Sequence, residues 1–187
     1  MNILNKAVFL DRDGVIIEDV NYIKDPDQVK IIENSDKAIN MLNEAGYKVI
    51  VVTNQSGIAR GYFNLDDYKN VTKRIKYLLS KVDATIDLIL FSPYHIDGII
   101  KEYAKDSPCR KPSSGMFLKA KEKLNIDFSL SWMIGDKASD IKAGKNLKIK
   151  TILVKTGYGE NKENPDFICE NLYEAVKLII EKDKNEG

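Results

Sequence analysis

Residues 7–15 read AVFLDRDGV, and this short stretch decides the expected fold more than any other part of the chain. Its apolar half is rich in strand formers and runs directly into Asp11 and Asp13, which Gly14 follows. Because side chains two residues apart in an extended chain point the same way, the two carboxylates are expected side by side where a strand ends. Such a pair can hold a hard cation and can also supply a nucleophile and a proton donor. The alternative is a surface turn, in which aspartate and glycine are also common.

Length and composition indicate which classes of protein the chain can belong to. The chain has 187 residues, enough for one domain with a full hydrophobic core. Its 29 lysines and arginines nearly balance 28 aspartates and glutamates, so no overall field attracts nucleic acid or a membrane surface. We find no export signal and no apolar run long enough to span a bilayer. We therefore expect a cytoplasmic monomer that binds neither nucleic acid nor membrane, with Cys109 and Cys169 reduced.

Strand and helix signals alternate along the chain. Short runs rich in valine and isoleucine predict strands, and periodic apolar stripes between them predict helices. The expected strands are 7–11, 48–53, 87–91, 131–135, 150–154 and 166–169. The expected helices begin near Ser35, Leu65 and Ser114, with a short one around 141–143 and a last one at 171–180.

This alternation indicates an α/β fold of the doubly wound, Rossmann-like kind, with three α/β/α layers and a central, mostly parallel sheet. We find no internal repeat and no linker, so we predict a single domain over 1–187. The charged tail at 181–187 is expected to be frayed and disordered.

Polar residues follow several of the predicted strands. The second strand is followed by Thr53-Asn54-Gln55-Ser56-Gly57, and the fourth ends in Gly135-Asp136-Lys137. Between them, the segment Cys109-Arg110-Lys111-Pro112 leads into a helix. In an open parallel sheet, ligands bind beyond the carboxyl ends of the strands. Hydroxyl, amide, ammonium and carboxylate groups therefore converge on one edge, which predicts a site for an anionic substrate and a metal ion.

These segments resemble the sequence motifs of the haloacid dehalogenase (HAD) superfamily of phosphotransferases. The matching positions, in order, are Asp11-Arg12-Asp13-Gly14, Thr53, Lys111 and Gly135-Asp136-Lys137-Ala138-Ser139-Asp140. The blocks at 9–16, 52–61 and 109–112 are similar to the small heptose bisphosphate phosphatases, and histidinol phosphate phosphatases share them. The resemblance implies a HAD-type fold with little or no cap and hydrolysis of D-glycero-D-manno-heptose 1,7-bisphosphate to heptose 1-phosphate.

The resemblance also implies roles, which agree with the chemistry of each group. Asp11 would attack phosphorus and form an aspartyl-phosphate, while Asp13 would protonate the leaving oxygen and then activate water. Thr53 and Lys111 would stabilise the phosphoryl oxygens in the transition state. The side chain of Asp11, the backbone carbonyl of Asp13 and the side chain of Asp136 would hold Mg2+, which screens the repulsion between nucleophile and phosphate. Asp140 would orient Lys111 or the metal shell from outside.

A second group of residues is expected to face the substrate. These side chains could bind sugar hydroxyls or a second phosphate: Asp19, Asn21, Tyr22, Asn54, Gln55, Ser56, Arg110 and Lys137. The two cations among them favour a bisphosphorylated sugar over a cationic amino alcohol. The expected partner is therefore a small sugar phosphate.

One segment departs from the family pattern. Many relatives bind a structural zinc through Cys-x-His and a later Cys-x-Cys, and the matching positions here are Ser92, Tyr94, Ser107 and Cys109. Serine and tyrosine hydroxyls are poor zinc ligands, so we expect no structural zinc. Packing is then expected to hold the loop, through Phe91, Tyr94, Ile99, Ile100 and Tyr103.

Other functions remain open at this point. Histidinol phosphate phosphatases and other small phosphomonoester phosphatases share the catalytic blocks. The 3′-phosphatases of nucleic-acid repair share the opening motif, but the balanced charge argues against a nucleic-acid groove. A non-enzymatic binding module is disfavoured because every expected catalytic residue is present.

Overall fold

The computed structural model describes residues 4–159 and 162–186, and the statements below refer to them. The strands are β1 (Ala7–Leu10), β2 (Lys48–Asn54), β3 (Leu88–Ser92), β4 (Trp132–Gly135), β5 (Lys150–Val154) and β6 (Phe167–Cys169). The helices are α1 (Ser35–Glu44), α2 (Leu65–Leu79), α3 (Gly115–Leu124), α4 (Ala138–Asn146) and α5 (Leu172–Glu186). The predicted alternation is confirmed, and each strand boundary differs by at most one residue from the expected one.

The strands form one six-stranded sheet in the order β3-β2-β1-β4-β5-β6. All neighbouring pairs are parallel. β1 lies in the middle, with β2 on one side and β4 on the other, so the winding of the chain reverses between β1 and β4. Loops that leave the sheet at such a reversal diverge and open a crevice, where ligand sites occur in folds of this kind. The doubly wound fold is confirmed.

Helices cover both faces of the sheet. Alternate residues of β1 point to opposite faces, so Val8 and Leu10 join one core while Ala7 and Phe9 join the other. The first core contains the apolar stripes of α1, α2 and α5. The second contains those of α3 and α4. All four side chains of β1 are fully buried, so this central strand is fixed from both sides and positions the residues that follow it.

The connections above the sheet are loops rather than a second domain. Residues 11–34 contain a 3-10 helix, Pro26–Gln28, and isolated bridges that join Ile17 to Asp13 and to Ile31. Residues 93–114 contain only turns and bends. Within the described residues, these two connections contain no helix beyond the short 3-10 helix, in agreement with the expected HAD-type fold with little cap.

The C-terminal segment differs from the prediction. We expected a frayed tail from 181, but α5 continues to Glu186; Gly187 lies outside the described residues. Asp183 explains the difference, because it accepts hydrogen bonds from Lys6 Nζ and Tyr47 Oη, both at 2.7 Å. Its partners precede β1 and β2, so the helix end is tied to the sheet. None of the helices in the described part of the chain is long and apolar enough to cross a membrane.

Candidate active site

The reversal of strand order places the ends of β1 and β4 side by side. Asp11 follows β1, and its backbone N–H donates to the carbonyl of Ile134 in β4 at 3.1 Å. Asp136 follows β4, and Asp140 lies in the first turn of α4. All three carboxylates are buried, and one oxygen of each lies within 4.8 Å of the others. Buried acidic groups this close together need compensating positive charge.

Two glycines let the backbone approach Asp136. Gly14 has a φ of +79°, and a Cβ built on it would come within 2.7 Å of Asp136 Oδ2. A Cβ on Gly157, in the loop after β5, would overlap the same oxygen. The hydroxyl of Thr156 donates to the carbonyl of Gly14 at 2.7 Å and joins the two loops. The close approach around Asp136 therefore excludes any side chain at both positions.

Asp136 has a buried carboxylate oxygen that is available to bind a cation. Its Oδ2 accepts from the backbone N–H of Tyr158 at 2.9 Å, whereas its buried Oδ1 has no hydrogen-bond partner among the described residues. Burial, reinforced by the negative charge of Asp11, raises the pKa of Asp136 to about 7. A bound divalent cation would relieve both effects, so Asp11 and Asp136 fit a metal site. The side chain of Asp13 lies outside this cluster, and its coordination through the backbone carbonyl stays a prediction.

Lys111 supplies positive charge inside the cluster. Its Nζ lies 3.0 Å from Asp11 Oδ1 and 2.7 Å from Asp140 Oδ1, and it donates to the carbonyl of Val52 at 2.6 Å. Burial opposes its ionisation, but Asp11 and Asp140 outweigh burial and raise the pKa of Lys111. Burial likewise opposes ionisation of Asp11, but Lys111 and then Lys137 hold its pKa below the ordinary value. Asp11 is therefore an ionised carboxylate, as a nucleophile must be.

Asp13 belongs to a separate network beside the acidic cluster. The Arg12 guanidinium contacts both of its carboxylate oxygens at 2.9 Å, and Gln55 Nε2 donates to Oδ2 at 2.9 Å. The same Gln55 amide donates to the buried hydroxyl of Thr53 at 2.9 Å. The side chains of Asp13 and Thr53 are thus linked through one amide.

Seven of the eight predicted substrate residues line one cleft above this network. They are Asp19, Asn21, Tyr22, Asn54, Gln55, Ser56 and Lys137. Asn54 also supports Lys111, because its side chain exchanges two hydrogen bonds of 3.0 Å with the Lys111 backbone. Lys137 Nζ lies 3.1 Å from Asp19 Oδ2 and 4.0 Å from Asp136 Oδ2. The negative charges of Asp11 and Asp136 outweigh burial and raise the pKa of Lys137, which keeps a cation in the cleft.

The far wall of the cleft is a strained loop joined to Tyr158. Asn21 and Tyr22 have φ values of 53° and 58°, a region that side-chain-bearing residues seldom occupy. Tyr158 Oη lies 3.1 Å from Asn21 Oδ1, and the Tyr158 ring lies under Lys137 Nζ, 4.7 Å from the ring centroid. Strain of this kind concentrates at functional sites, where the surrounding contacts maintain it.

Arg110 is the predicted substrate residue that lies outside the cleft lining. Its Nη1 donates to the carbonyl of Tyr94 at 3.2 Å. Arg60 Nη2 lies 3.1 Å from the Nε2 of His95. Burial and the nearby charge of Arg60 lower the pKa of Arg110, and burial with both arginines lowers the pKa of His95. A half-buried rim of positive charge therefore lies beside the cleft.

The loop after β3 is held differently from our expectation. The backbone N–H groups of Ile99 and Ile100 both donate to the carbonyl of Ala59, at 2.8 and 2.9 Å. The side chains of Ile99 and Ile100 are 78% and 40% exposed, so the expectation that they pack the loop in place was wrong. Backbone hydrogen bonds hold this part of the loop instead.

The three aromatic residues in that expectation do pack. Phe91 lies against Tyr68 with ring centroids 4.1 Å apart, and Tyr103 packs on the same small cluster. The ring of Tyr94 lies against that of Tyr103, with centroids 6.0 Å apart. At the positions where relatives carry zinc ligands, Ser92 and Ser107 are buried, and Ser107 Oγ accepts from the Cys109 N–H at 3.2 Å.

Sequence analysis missed three residues of the site. They are Arg12, to which the motif gives no role although it binds Asp13, and Gly157 and Tyr158, which lie against Asp136. A signal was present, because residues 155–158 follow the predicted fifth strand and therefore lie at the same edge of the sheet. We gave weight only to strand ends that carry carboxylates, hydroxyls or lysines of known motifs.

Comparison with known proteins agrees with this site. The profile of the HAD-hydrolase-like family matches residues 108–175. A D-glycero-beta-D-manno-heptose-1,7-bisphosphate 7-phosphatase of Pasteurella multocida is 42% identical over 94% of this chain and 97% of its own. A second relative is named for the alpha anomer: D-glycero-alpha-D-manno-heptose-1,7-bisphosphate 7-phosphatase of Photorhabdus laumondii. It is 40% identical over 93% of this chain and 96% of its own.

A solved structure of similar size shares the fold. The D,D-heptose 1,7-bisphosphate phosphatase from B. bronchiseptica, complexed with magnesium and phosphate, has a TM-score of 0.85 and 27% sequence identity. The similarity covers 95% of this chain and 99% of that one.

The fold and the buried aspartate-lysine site together define a hydrolase of the HAD superfamily, and specifically a phosphoric monoester hydrolase. Within that superfamily, the chain belongs to the family of the heptose bisphosphate phosphatases, since relatives with that name match it over nearly the whole length.

Proposed function

We propose that this protein removes the 7-phosphate from D-glycero-D-manno-heptose 1,7-bisphosphate in a Mg2+-dependent reaction. The observation that carries the proposal is the buried Asp11 carboxylate, which lies 3.0 Å from Lys111 Nζ and beside Asp136. The Oδ1 of Asp136 has no hydrogen-bond partner in the described chain. Relatives with this activity in their names support the choice of substrate.

Asp11 would bond to phosphorus while the bond from phosphorus to the leaving sugar oxygen breaks. Asp13 would give its proton to that oxygen, and in the second step would take a proton from the water that hydrolyses the aspartyl-phosphate. Lys111 and the hydroxyl of Thr53 would stabilise the phosphoryl oxygens as charge develops. Asp11, Asp136 and the Asp13 carbonyl would hold Mg2+, which neutralises charge on the phosphate when bound. Asp140 would keep Lys111 in place, consistent with their 2.7 Å ion pair.

The cleft suits a second anionic group. Lys137 faces the cleft, and Arg110 and Arg60 form the positive rim beside it. We assign the second phosphate to this side, and the sugar hydroxyls to Asp19, Asn21, Tyr22, Asn54, Gln55 and Ser56. Relatives named for the alpha and for the beta anomer are similarly close in sequence, so the proposal covers both anomers.

The remaining proposals concern the protein as a whole. We propose a single domain, a cytoplasmic monomer without structural zinc, and no interaction with nucleic acid or membrane. The nearly balanced charge and the poor zinc ligands at three of the four family positions support these points.

A substrate panel tests the proposed function. Phosphate release would be measured with Mg2+ on both anomers of the heptose bisphosphate, on fructose 1,6-bisphosphate and on histidinol phosphate. We expect the highest kcat/KM on a heptose bisphosphate. A higher value on histidinol phosphate would contradict the substrate, and no release from any phosphomonoester would contradict the reaction.

A further inference from the structure

Arg12 lies between the two motif aspartates, but the reaction described above gives it no task. Its side chain is only 5% exposed, and it forms a close ion pair with Asp13. Nε and Nη2 contact Asp13 Oδ1 at 3.1 and 2.9 Å, and Nη2 also lies 2.9 Å from Oδ2. A guanidinium that donates hydrogen bonds to both oxygens of a carboxyl group fixes the orientation of its plane as well as its position.

Gln55, which lines the cleft, hydrogen-bonds to both Arg12 and Asp13. Its Oε1 accepts from Arg12 Nη2 at 3.0 Å, while its Nε2 donates to Asp13 Oδ2 at 2.9 Å. The ring of Tyr68 lies below the guanidinium, 5.7 Å from Cζ to the ring centroid. Arg12 is thus held from the β2 loop and from α2, so its own position is fixed independently of Asp13.

We propose that Arg12 is a positioning residue that aims the carboxyl group of Asp13 at the leaving oxygen; this inference rests on the proposed role of Asp13 as proton donor. The guanidinium contacts Asp13, Gln55 and the Tyr68 ring, whereas the backbone N–H of Arg12 donates to Asp11 Oδ1 at 2.8 Å. A substitution of Arg12 changes the side chain and leaves that backbone contact in place. A guanidinium can donate to a carboxyl group in either protonation state, since the group keeps acceptor lone pairs when it carries a proton. The pair can therefore persist through both steps of the reaction.

The step affected is the first. As Asp11 bonds to phosphorus, the electron pair of the breaking bond goes to the leaving oxygen, and the proton of Asp13 joins it there. A poor leaving group needs that proton in the transition state, whereas p-nitrophenolate is stable without it. Misalignment of Asp13 should therefore slow an ester with a poor leaving group far more than p-nitrophenyl phosphate.

The test compares two esters of similar shape, phenyl phosphate and p-nitrophenyl phosphate, with Mg2+ and the Arg12→Lys variant. Lysine keeps the positive charge, but its ammonium group cannot form the planar pair of hydrogen bonds to both carboxyl oxygens that a guanidinium forms. We expect kcat/KM on phenyl phosphate to fall about 100-fold, and at least about tenfold more than on p-nitrophenyl phosphate. The ratio of kcat/KM values is the appropriate readout, because it reports the steps up to phosphoryl transfer and not hydrolysis of the aspartyl-phosphate.

Two further variants complete the design. Tyr68→Phe keeps the ring under Arg12 and removes only its hydroxyl, so it should leave the ratio of the two kcat/KM values unchanged. Gln55→Met removes the acceptor that holds Arg12 Nη2, one donor to Asp13 and the donor to Thr53, but it leaves the direct Arg12–Asp13 pair. It should therefore shift the ratio in the same direction by a smaller factor, about threefold. This variant provides the test if Arg12→Lys does not fold.

Equal losses on the two esters in Arg12→Lys, or in Gln55→Met where the first variant is unfolded, would overturn the inference. Arg12 would then serve the fold or the transferred phosphate. Absence of Mg2+-dependent phosphate release by the native protein from both esters and from every substrate of the panel above would instead overturn the proposed function, and the inference with it.

Discussion

The acidic cluster and the loop at 93–108 lie at the same end of the sheet but are held in opposite ways. Asp11, Lys111 and Asp136 are at most 5% exposed, and their positions follow from strand ends and charged contacts. The loop is held by backbone hydrogen bonds together with the packing of a few aromatic rings, and Ile99 in it is 78% exposed. Backbone contacts do not depend on side-chain identity. Positions of the loop that make only backbone contacts can therefore change residue without disturbing the chemistry.

The largest expected effect is at the centre of the cluster. Asp11→Asn keeps the shape of the side chain but removes the proposed nucleophile. The rate of phosphate release should therefore fall by more than about 100-fold, which is the smallest loss expected when only a general base is removed. The variant should remain folded, which circular dichroism and thermal melting would verify. A residual rate above about one hundredth of the native value would rule out the covalent mechanism.

Lys111→Met should damage both rate and stability. It leaves Asp11 and Asp140 buried without their shared cation, and breaking a buried pair in this way costs about 3–5 kcal/mol. Loss of its proposed contact with the phosphoryl oxygens should lower kcat by roughly 100- to 1,000-fold. Urea unfolding and phosphate release would measure the two effects separately. An unchanged free energy of unfolding would mean that water or ions reach the cluster and that it is less dry than the structure indicates.

A smaller and selective effect is expected at the mouth of the cleft. Arg110→Ala should lower kcat/KM on the heptose bisphosphate about tenfold more than on p-nitrophenyl phosphate, because only the bisphosphate carries a second anionic group. Lys105→Ala is the matched control, since Lys105 is an exposed cation of the same loop, over the Tyr94 ring. Equal losses on both substrates in Arg110→Ala would show that Arg110 serves the transferred phosphate or the fold.

The smallest effect is expected on the melting temperature of the protein when metal ions are removed. Chelation should stop catalysis by removing Mg2+, and Mg2+ alone should restore it in full. The melting temperature should change by less than about 2 °C, whereas loss of a structural zinc would cost several kcal/mol. Elemental analysis should find no stoichiometric zinc. About one tightly held zinc per chain would contradict the prediction and would mean that Cys109 and His95 recruit further ligands.

The strands were predicted to within one residue because their apolar runs are short and end in clear polar or glycine signals. The tail of α5 was not, because its stability depends on Asp183 meeting Lys6 and Tyr47, residues at the other end of the chain and in its first half. A frayed tail and a docked helix end have the same local sequence. Only the distant partners distinguish them.

The site shows the same division. The order of strands alone brings Asp11 and Asp136 to one edge, since the carboxyl ends of parallel strands meet there, and the family resemblance adds Lys111. The resemblance left Asp140 to act on Lys111 or on the metal shell, and the structure places its carboxylate 2.7 Å from Lys111 Nζ. The spacing does not reveal that Gln55 joins Asp13 to Thr53, or that Tyr158 reaches Asn21 across the cleft.

For this protein, the sequence by itself determined the order of strands and helices, the edge of the sheet that carries the chemistry, and the residue types at that edge. Hydrophobic periodicity and motif order are local properties, and the chain displays them directly. The tertiary structure alone decided which charges pair. It places Arg12 on Asp13 and Lys111 between Asp11 and Asp140, and it leaves one oxygen of Asp136 without a hydrogen-bond partner in the described chain. Pairing depends on distances and burial between residues far apart in the chain, and these exist only once the two cores have packed against the sheet.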